Sequence, residues 1–144
     1  MAQEAEKGSE EPAPVLAIDP GREKCGLAVV RRDGVVLERL VCPVDRLQGA
    51  LQGLWERHRP NLVLLGDRTG AAEIAALIKQ ECASARLTLV DEHRSTEQAR
   101  RLYFVENPPR GWRRLVPRGL LVPPEPYDDY VAIILALRFL KDQP

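Results

Sequence analysis

Val15-Leu16-Ala17-Ile18-Asp19-Pro20-Gly21 is the stretch on which the fold turns. Four apolar residues in a row, with no polar interruption, read as a strand buried on both faces, and Asp19-Pro20-Gly21 reads as the turn that closes it. Residues 25–30 predict a second strand, Asp33-Gly34 a hairpin turn, and 35–41 a third strand, so the chain opens as an antiparallel meander. The period then changes. Leu47, Leu51, Leu54, Trp55 and His58 form one helical stripe that Pro60 stops. Residues 62–65, ended by Gly66, are a continuous apolar run of the kind found in parallel, doubly covered strands. Thr69 is placed to cap a helix whose stripe is Ala71, Ile74, Ala75 and Ile78. Residues 87–90 predict a fifth strand, and Ser95-x-x-Gln98 a capping box opening a helix through about residue 103. The last helix, 128–140, is apolar on two sides: Val131, Ile134 and Leu135 on one, Ile133, Leu137 and Leu140 on the other. The order is three strands, then helix, strand, helix, strand, helix, a long loop and a final helix: an α/β fold.

A chain of 144 residues with 44% hydrophobic content makes one domain whose core buries about 68–70% of the unfolded surface. That is too short for a two-lobed ATPase, in which each lobe needs about this length. Residues 1–14 are acidic, contain proline and lack large apolar groups, so they are expected as a disordered tail before a single domain at 15–144. The start has no apolar core of a leader peptide, and the longest apolar run, 131–137, is too short to span a bilayer, so a cytoplasmic protein with no membrane partner is expected. Cys25, Cys42 and Cys82 are odd in number and far apart, with no zinc spacing to His58 or His93, which suits small buried hydrophobes in a reducing compartment. Net charge is zero, which excludes coating nucleic acid by bulk charge. The zero hides a gradient: residues 86–119 carry eight Arg against four acids.

Acids fall at three element ends. Asp19 closes the first strand, Glu92 lies just past the fifth, and Asp128 and Asp129 open the last helix. In a mixed sheet ordered 3-2-1-4-5, strands 1 and 5 flank strand 4 and their carboxyl ends approach each other, where ligands of open α/β sheets bind. Taken singly, Asp19 suits an Asx-turn, Glu92 a surface charge and Asp128 a helix cap. Together, on matching ends, they predict converging carboxylates that need a cation between them. An all-oxygen site takes Mg²⁺ or Mn²⁺, and two such ions can clamp a phosphodiester.

The residues 15–21 through Cys25-Gly26-Leu27-Ala28-Val29 resemble the opening of the YqgF/RuvX family, a branch of the ribonuclease H-like superfamily related to RuvC resolvases. Val90-Asp91-Glu92-His93-Arg94-Ser95-Thr96 resembles the family's second motif, and residues 128–135, from Asp128-Asp129-Tyr130 to Leu135, its third. The resemblance implies a ribonuclease H-like fold, a five-stranded mixed sheet flanked by helices. It also implies a metal-dependent nuclease, an endonuclease rather than an exonuclease. By residue, Asp19, Glu92 and Asp128 match the catalytic, metal-binding acids, and Asp129 is an adjacent second acid. Family members are described as maturing the 5′ end of pre-16S rRNA or as Holliday junction resolvases. The first is the favoured expectation, with structured or single-stranded RNA as partner and branched DNA as the alternative, in a monomer or homodimer. A catalytically silent nucleic-acid-binding module of the same fold is the reading from another class. A nucleotide-binding protein using the Asp19-Pro20-Gly21 turn is weakened by the lack of a second glycine-rich loop.

The sequence departs from the family pattern in four places, one of them an Arg/Pro-rich segment before Asp128 that is longer than in ordinary members. Arg22-Glu23-Lys24 replaces Thr-Lys-Arg, His93 follows Glu92 so that Arg94 is displaced by one, and Gly66-Asp67-Arg68 replaces Gly-x-Pro. Arg22 and Lys24, on a turn near Asp19, are placed to hold a scissile phosphate, and Arg94 is a further candidate contact. His93 suits a structural or exposed role, or protonation of a leaving group. In the proline-rich loop 106–127, Arg110-Gly111-Trp112-Arg113-Arg114 interleaves cations with an aromatic, and Arg118 follows. That pattern suits a single strand with its phosphates on Arg and a base on the indole. The other reading of Trp112 is an anchor holding the loop to the core.

Overall fold

A computed structural model describes residues 12–142 except Thr69, with only the backbone described at Arg118. The expected capping by Thr69 and the acidic residues 1–11 of the expected tail lie outside the described residues. Residues 12–14 lead directly into the sheet, and the Ala13 carbonyl accepts a hydrogen bond from Arg32 Nε at 3.0 Å.

Five strands form one sheet in the order β3-β2-β1-β4-β5. They are β1 (Val15–Asp19), β2 (Lys24–Val30), β3 (Val36–Pro43), β4 (Leu62–Gly66) and β5 (Arg86–Val90). The meander β1-β2-β3 is antiparallel, whereas β1 pairs with β4 and β4 with β5 in parallel. The helices are α1 (Leu47–His58), α2 (Ala71–Glu81), α3 (Ser95–Glu106) and α4 (Asp128–Lys141).

Both faces of the sheet are covered, which is why β1 and β4 are unbroken apolar runs. Leu16, Ile18, Leu27, Val63 and Leu65 pack under Leu47, Leu51 and Leu54 of α1 and Ile74 and Ile78 of α2. On the opposite face, Val15, Ala17, Ala28 and Leu64 meet Ala132, Ile133, Leu135 and Ala136 of α4. Alanines on both sides of that contact let the helix lie close to the strands. The other side of α4, Tyr130 and Val131, packs on Ala99, Tyr103 and Phe104 of α3. The three cysteines are free and buried, as their spacing suggests.

Several local expectations change in three dimensions. The third strand begins at Val36, because the Val35 carbonyl accepts from Arg31 N–H to close the hairpin turn through Gly34 (φ 96°). It continues to Pro43. The α1 helix ends on Arg59, in the left-handed conformation, before Pro60. The capping box at α3 does not form. Arg94, not Ser95, holds the cap position, in the left-handed conformation (φ 62°), and the Ser95 hydroxyl donates to the Glu92 carbonyl at 2.6 Å. The proline-rich loop contains two short 3₁₀ turns, Gly111–Leu115 and Arg118–Leu120. Its anchor is Leu121, which is buried with α3 and α4, while Trp112 stands 72% exposed.

One glycine governs how α4 docks. A Cβ on Gly26 of β2 would overlap the backbone carbonyl of Asp128 and the amide nitrogen of Asp129. The helix start therefore rests directly on the strand backbone. Gly26→Ala is expected to cost about 1–3 kcal/mol or more by overpacking, read as a lower midpoint in chemical denaturation. An unchanged midpoint would mean that α4 does not sit against this strand.

Candidate functional site

The site forms where β1 and β4 end. Asp19 is the last residue of β1, opposite Gly26 of β2, and its neighbour Ile18 pairs with Leu65 of β4. Glu92 lies two residues past β5, and a tight turn aims it inward. The Ser95 amide and hydroxyl both bind the Glu92 carbonyl, and the His93 amide donates to Asp91 Oδ1 at 2.9 Å. Glu92 must then cross β4 to reach Asp19. It can, because Gly66 ends β4: a Cβ there would collide with the Glu92 carboxyl group. Gly26 and Gly66, on the strands either side of β1, thus make room for the two partners of Asp19.

Asp19 and Glu92 are 5% and 4% exposed. Their carboxyl groups lie against each other, close enough to share a hydrogen bond once one of them is protonated. Burial first, then the bond to Glu92 and its charge, push the Asp19 carboxyl up to about 9; Arg68 opposes the shift and Asp128 adds to it. Ionised, these groups have too few donors. Asp19 Oδ1, both Glu92 carboxylate oxygens and Asp128 Oδ2 are buried without a hydrogen-bond partner. Arg68 Nε stands 3.4 Å from Glu92 Oε1, an ion pair without hydrogen-bond geometry.

The two acids that open α4 diverge, as successive helical residues about 100° apart must. Asp128 faces Lys24, with Nζ 4.0 Å from Oδ2, and its charge acts on Asp19. Asp129 turns toward Arg39 of β3, 3.6 Å away, and its Oδ1 accepts from the Tyr130 amide. Burial raises its carboxyl pKa, and Arg39 counters that rise. Arg39 also binds Glu106 at 3.1 Å and lies over the Tyr130 ring at 4.5 Å. Asp129 therefore belongs to a network that ties α4 to β3 and α3.

The donor chemistry suits a hard divalent cation: carboxylate oxygens only, several of them buried and unpartnered. Among the described residues, no group of three or more His, Cys, Asp or Glu is gathered closely enough to hold one ion. Asp19 and Glu92 touch, and Asp128 stands beyond them with Lys24.

The cationic candidates spread over the molecule. Lys24 is at the acids. Arg22 is exposed and borders a cavity with Val44, Leu47 and Glu73 on the α1 and α2 side. His93 is exposed, and its carbonyl accepts from Arg138 at 2.8 Å. Arg94 is exposed beside α3. Arg110, Trp112, Arg113 and Arg114 lie in the loop, where Arg113 sits 5.8 Å above the indole. The side chain of Arg118 lies outside the description. Arg68 was not among the candidates read from the sequence. Its signal was available: it follows Gly66 at the carboxyl end of the central parallel strand, where ligands bind.

No protein-family model matches the chain, and no curated protein matches it by sequence. Solved structures do share its architecture. T. thermophilus RuvC in complex with a Holliday junction substrate is 19% identical, with a TM-score of 0.55 over 87% of this chain and 90% of that one. A second Thermus thermophilus RuvC structure gives 17% identity and a TM-score of 0.54 over 86% and 90%. The sheet order and flanking helices define the fold class as ribonuclease H-like. Within that class, RuvC shares the fold of this chain over nearly all of its length.

The shared proton sets a pH dependence. Asp19 titrates near 3.8 when unfolded and near 9 when folded. Between those values the folded state holds more protons at Asp19, so the contribution of this group to stability is complete below the lower value and is lost as pH rises through the upper one. Without divalent ions, melting temperature should fall between about pH 5 and 9 in the wild type. Asp19→Asn, which carries no titrating group at this position, should show a flatter profile. Parallel melting profiles for the two proteins would show that Asp19 is ionised in the fold.

Proposed function

We propose that the protein is a divalent-metal-dependent nuclease that hydrolyses phosphodiester bonds, with Asp19, Glu92 and Asp128 holding the cations. The observation that carries this reading is the pair of buried, touching carboxyl groups at the ends of β1 and β5, with unpartnered oxygens and a third acid opposite. Such a cluster is costly to bury and has no packing role that an amide or an apolar residue would not fill better. Bound there, Mg²⁺ or Mn²⁺ would neutralise the phosphate and make bound water acidic enough to attack it. The side chains have separate tasks. Asp19 and Glu92 give up their shared proton to become a doubly charged donor pair. Asp128 orients from the helix start, and Lys24 offers its ammonium to the substrate phosphate. Asp129 keeps α4 in register through Arg39.

For the substrate, the motif resemblance to the YqgF/RuvX family supports endonucleolytic processing of the 5′ end of pre-16S rRNA in the cytoplasm. A second reading, a Holliday junction resolvase, is favoured by the likeness in fold to RuvC, one of whose structures holds a junction. That reaction cuts two symmetric strands and calls for a stable dimer. The Arg110, Arg113 and Arg114 guanidinium groups and the exposed Trp112 indole supply a local path for a strand that zero net charge does not.

Incubation with Mn²⁺ and precursor rRNA, single-stranded oligonucleotides or a four-way junction tests both readings. Asp19→Asn, Glu92→Gln and Asp128→Asn should each lower cleavage by about a hundredfold or more, the loss of some 3 kcal/mol of charge stabilisation. Asp129→Asn should do less harm. Near-wild-type turnover in any of the first three removes that residue from the metal set, and failure to cut any substrate favours the silent binding module. Separately, replacing Arg113 and Arg114 with Ala should flatten the slope of log K against log salt by about 0.7 per lost phosphate contact. Trp112→Ala should weaken single-strand binding by about 1–3 kcal/mol and leave the melting temperature unchanged, because the indole is exposed.

A further inference from the structure

A groove of about 940 Å³ opens between α3 and the loop that precedes α4. Four guanidinium groups border it, those of Arg68, Arg94, Arg100 and Arg101, against one carboxylate, Glu97. Glu97 is already paired with Arg101 at 2.9 Å, so the groove carries a net positive charge. Its base is apolar: Phe104 of α3 and Leu121 of the loop line it, and both belong to the cluster that joins α3 to α4. One wall leads to the acids. Arg68 donates from Nη2 to Thr96 Oγ1 at 2.9 Å inside the groove, and its Nε is 3.4 Å from Glu92.

We propose that this groove takes an unpaired nucleotide, the one adjoining the phosphate held at Asp19 and Glu92. The placement rests on the nuclease reading; the binding does not. Arginines on the rim match a phosphate backbone, and their planes stack on bases. An apolar base to the groove matches the flat face of a nucleobase, which a duplex hides within its stack and a single strand exposes. The volume lies within the range of pockets that hold one small ligand, about 300–1,000 Å³. Arg68 links the two sites: a phosphate entering the groove competes with Glu92 for its guanidinium group.

The test measures binding in EDTA, so that no cleavage intervenes. The probes are a short fluorescein-labelled oligothymidylate and a labelled duplex, followed by anisotropy. Gly119 lines the groove, and a Cβ added to it meets nothing within 4 Å, so Gly119→Leu narrows the groove without disturbing packing. It should weaken oligothymidylate binding about tenfold and leave duplex binding and melting temperature unchanged. Arg101→Gln, at an exposed position, provides a second variant should Gly119→Leu fold poorly. It should weaken the single strand and flatten its salt slope by about 0.7. Wild-type affinity in a folded Gly119→Leu protein, or in Arg101→Gln, overturns the proposal. So does an equal loss for duplex and single strand, which would describe a general backbone surface. Cleavage assays separate the two proposals. If Asp19→Asn cuts as well as wild type while Gly119→Leu loses single-strand affinity, the nuclease reading fails and the groove stands. If Asp19→Asn is inactive and the groove variants bind normally, the reverse holds.

Discussion

The arrangement depends on backbone contact at two glycines. Gly26 lets the start of α4 rest on β2, and Gly66 lets the Glu92 carboxyl group pass over the end of β4. Without those two missing side chains, neither Asp128 nor Glu92 reaches the end of β1. Asp19 and Glu92 then touch, with Asp128 beyond them beside Lys24, where a sheet of this topology has its ligand-binding edge. Close carboxylates repel, and a buried carboxylate without a partner is destabilising. The fold answers with a shared proton, with Arg68 at 3.4 Å from Glu92 and with Lys24 at 4.0 Å from Asp128. All three countercharges can be given up: a proton dissociates, and two exposed cations can turn to a phosphate.

The α4 helix links this site to the rest of the molecule. One side fills the sheet face against Ala17 and Ala28, and the other carries Tyr130 and Val131 into the cluster with α3. At its first turn the two acids have opposite employments. Asp129, with Arg39, Glu106 and the Tyr130 ring, fixes the helix to β3 and α3. That leaves Asp128 on the side of Lys24. A pair of identical residues thus divides into a structural one and one that faces the acids, because the helix turns by about 100° between them.

The same α3 that packs against α4 presents Arg101 to solvent and holds Arg100 against Tyr127, its Nε donating to the phenol oxygen at 2.9 Å. Positive charge on this protein is local rather than global: α3 balances Arg100 and Arg101 against Glu97 and Glu106, while the loop 107–127 carries Arg110, Arg113, Arg114 and Arg118 against Glu125. Under the nuclease proposal, that local charge would draw a polyanion that the carboxylates alone repel.

The succession of strands and helices and the acids at three element ends were legible because they are local signals: unbroken apolar runs, a change of period, and charge at the boundary of each run; the strand order came with the motif resemblance. Burial of β1 and β4 on both faces follows from the same runs. What the local pattern misassigned was the role of short polar residues. Ser95 reads as a helix cap, yet it is the first helical residue and its hydroxyl donates to the Glu92 carbonyl, three residues back, in the turn that aims Glu92 inward. Trp112 is compatible in sequence with anchoring a loop, but Leu121 fills that place. Arg68 escaped notice because its partner is Glu92, 24 positions away on the neighbouring strand's loop. The sequence by itself determined which segments are strands, which are helices and where acids end them. Which acids touch, which of Asp128 and Asp129 faces them, and which cation answers each was decided only by tertiary packing, since each depends on how closely two backbones approach at a glycine.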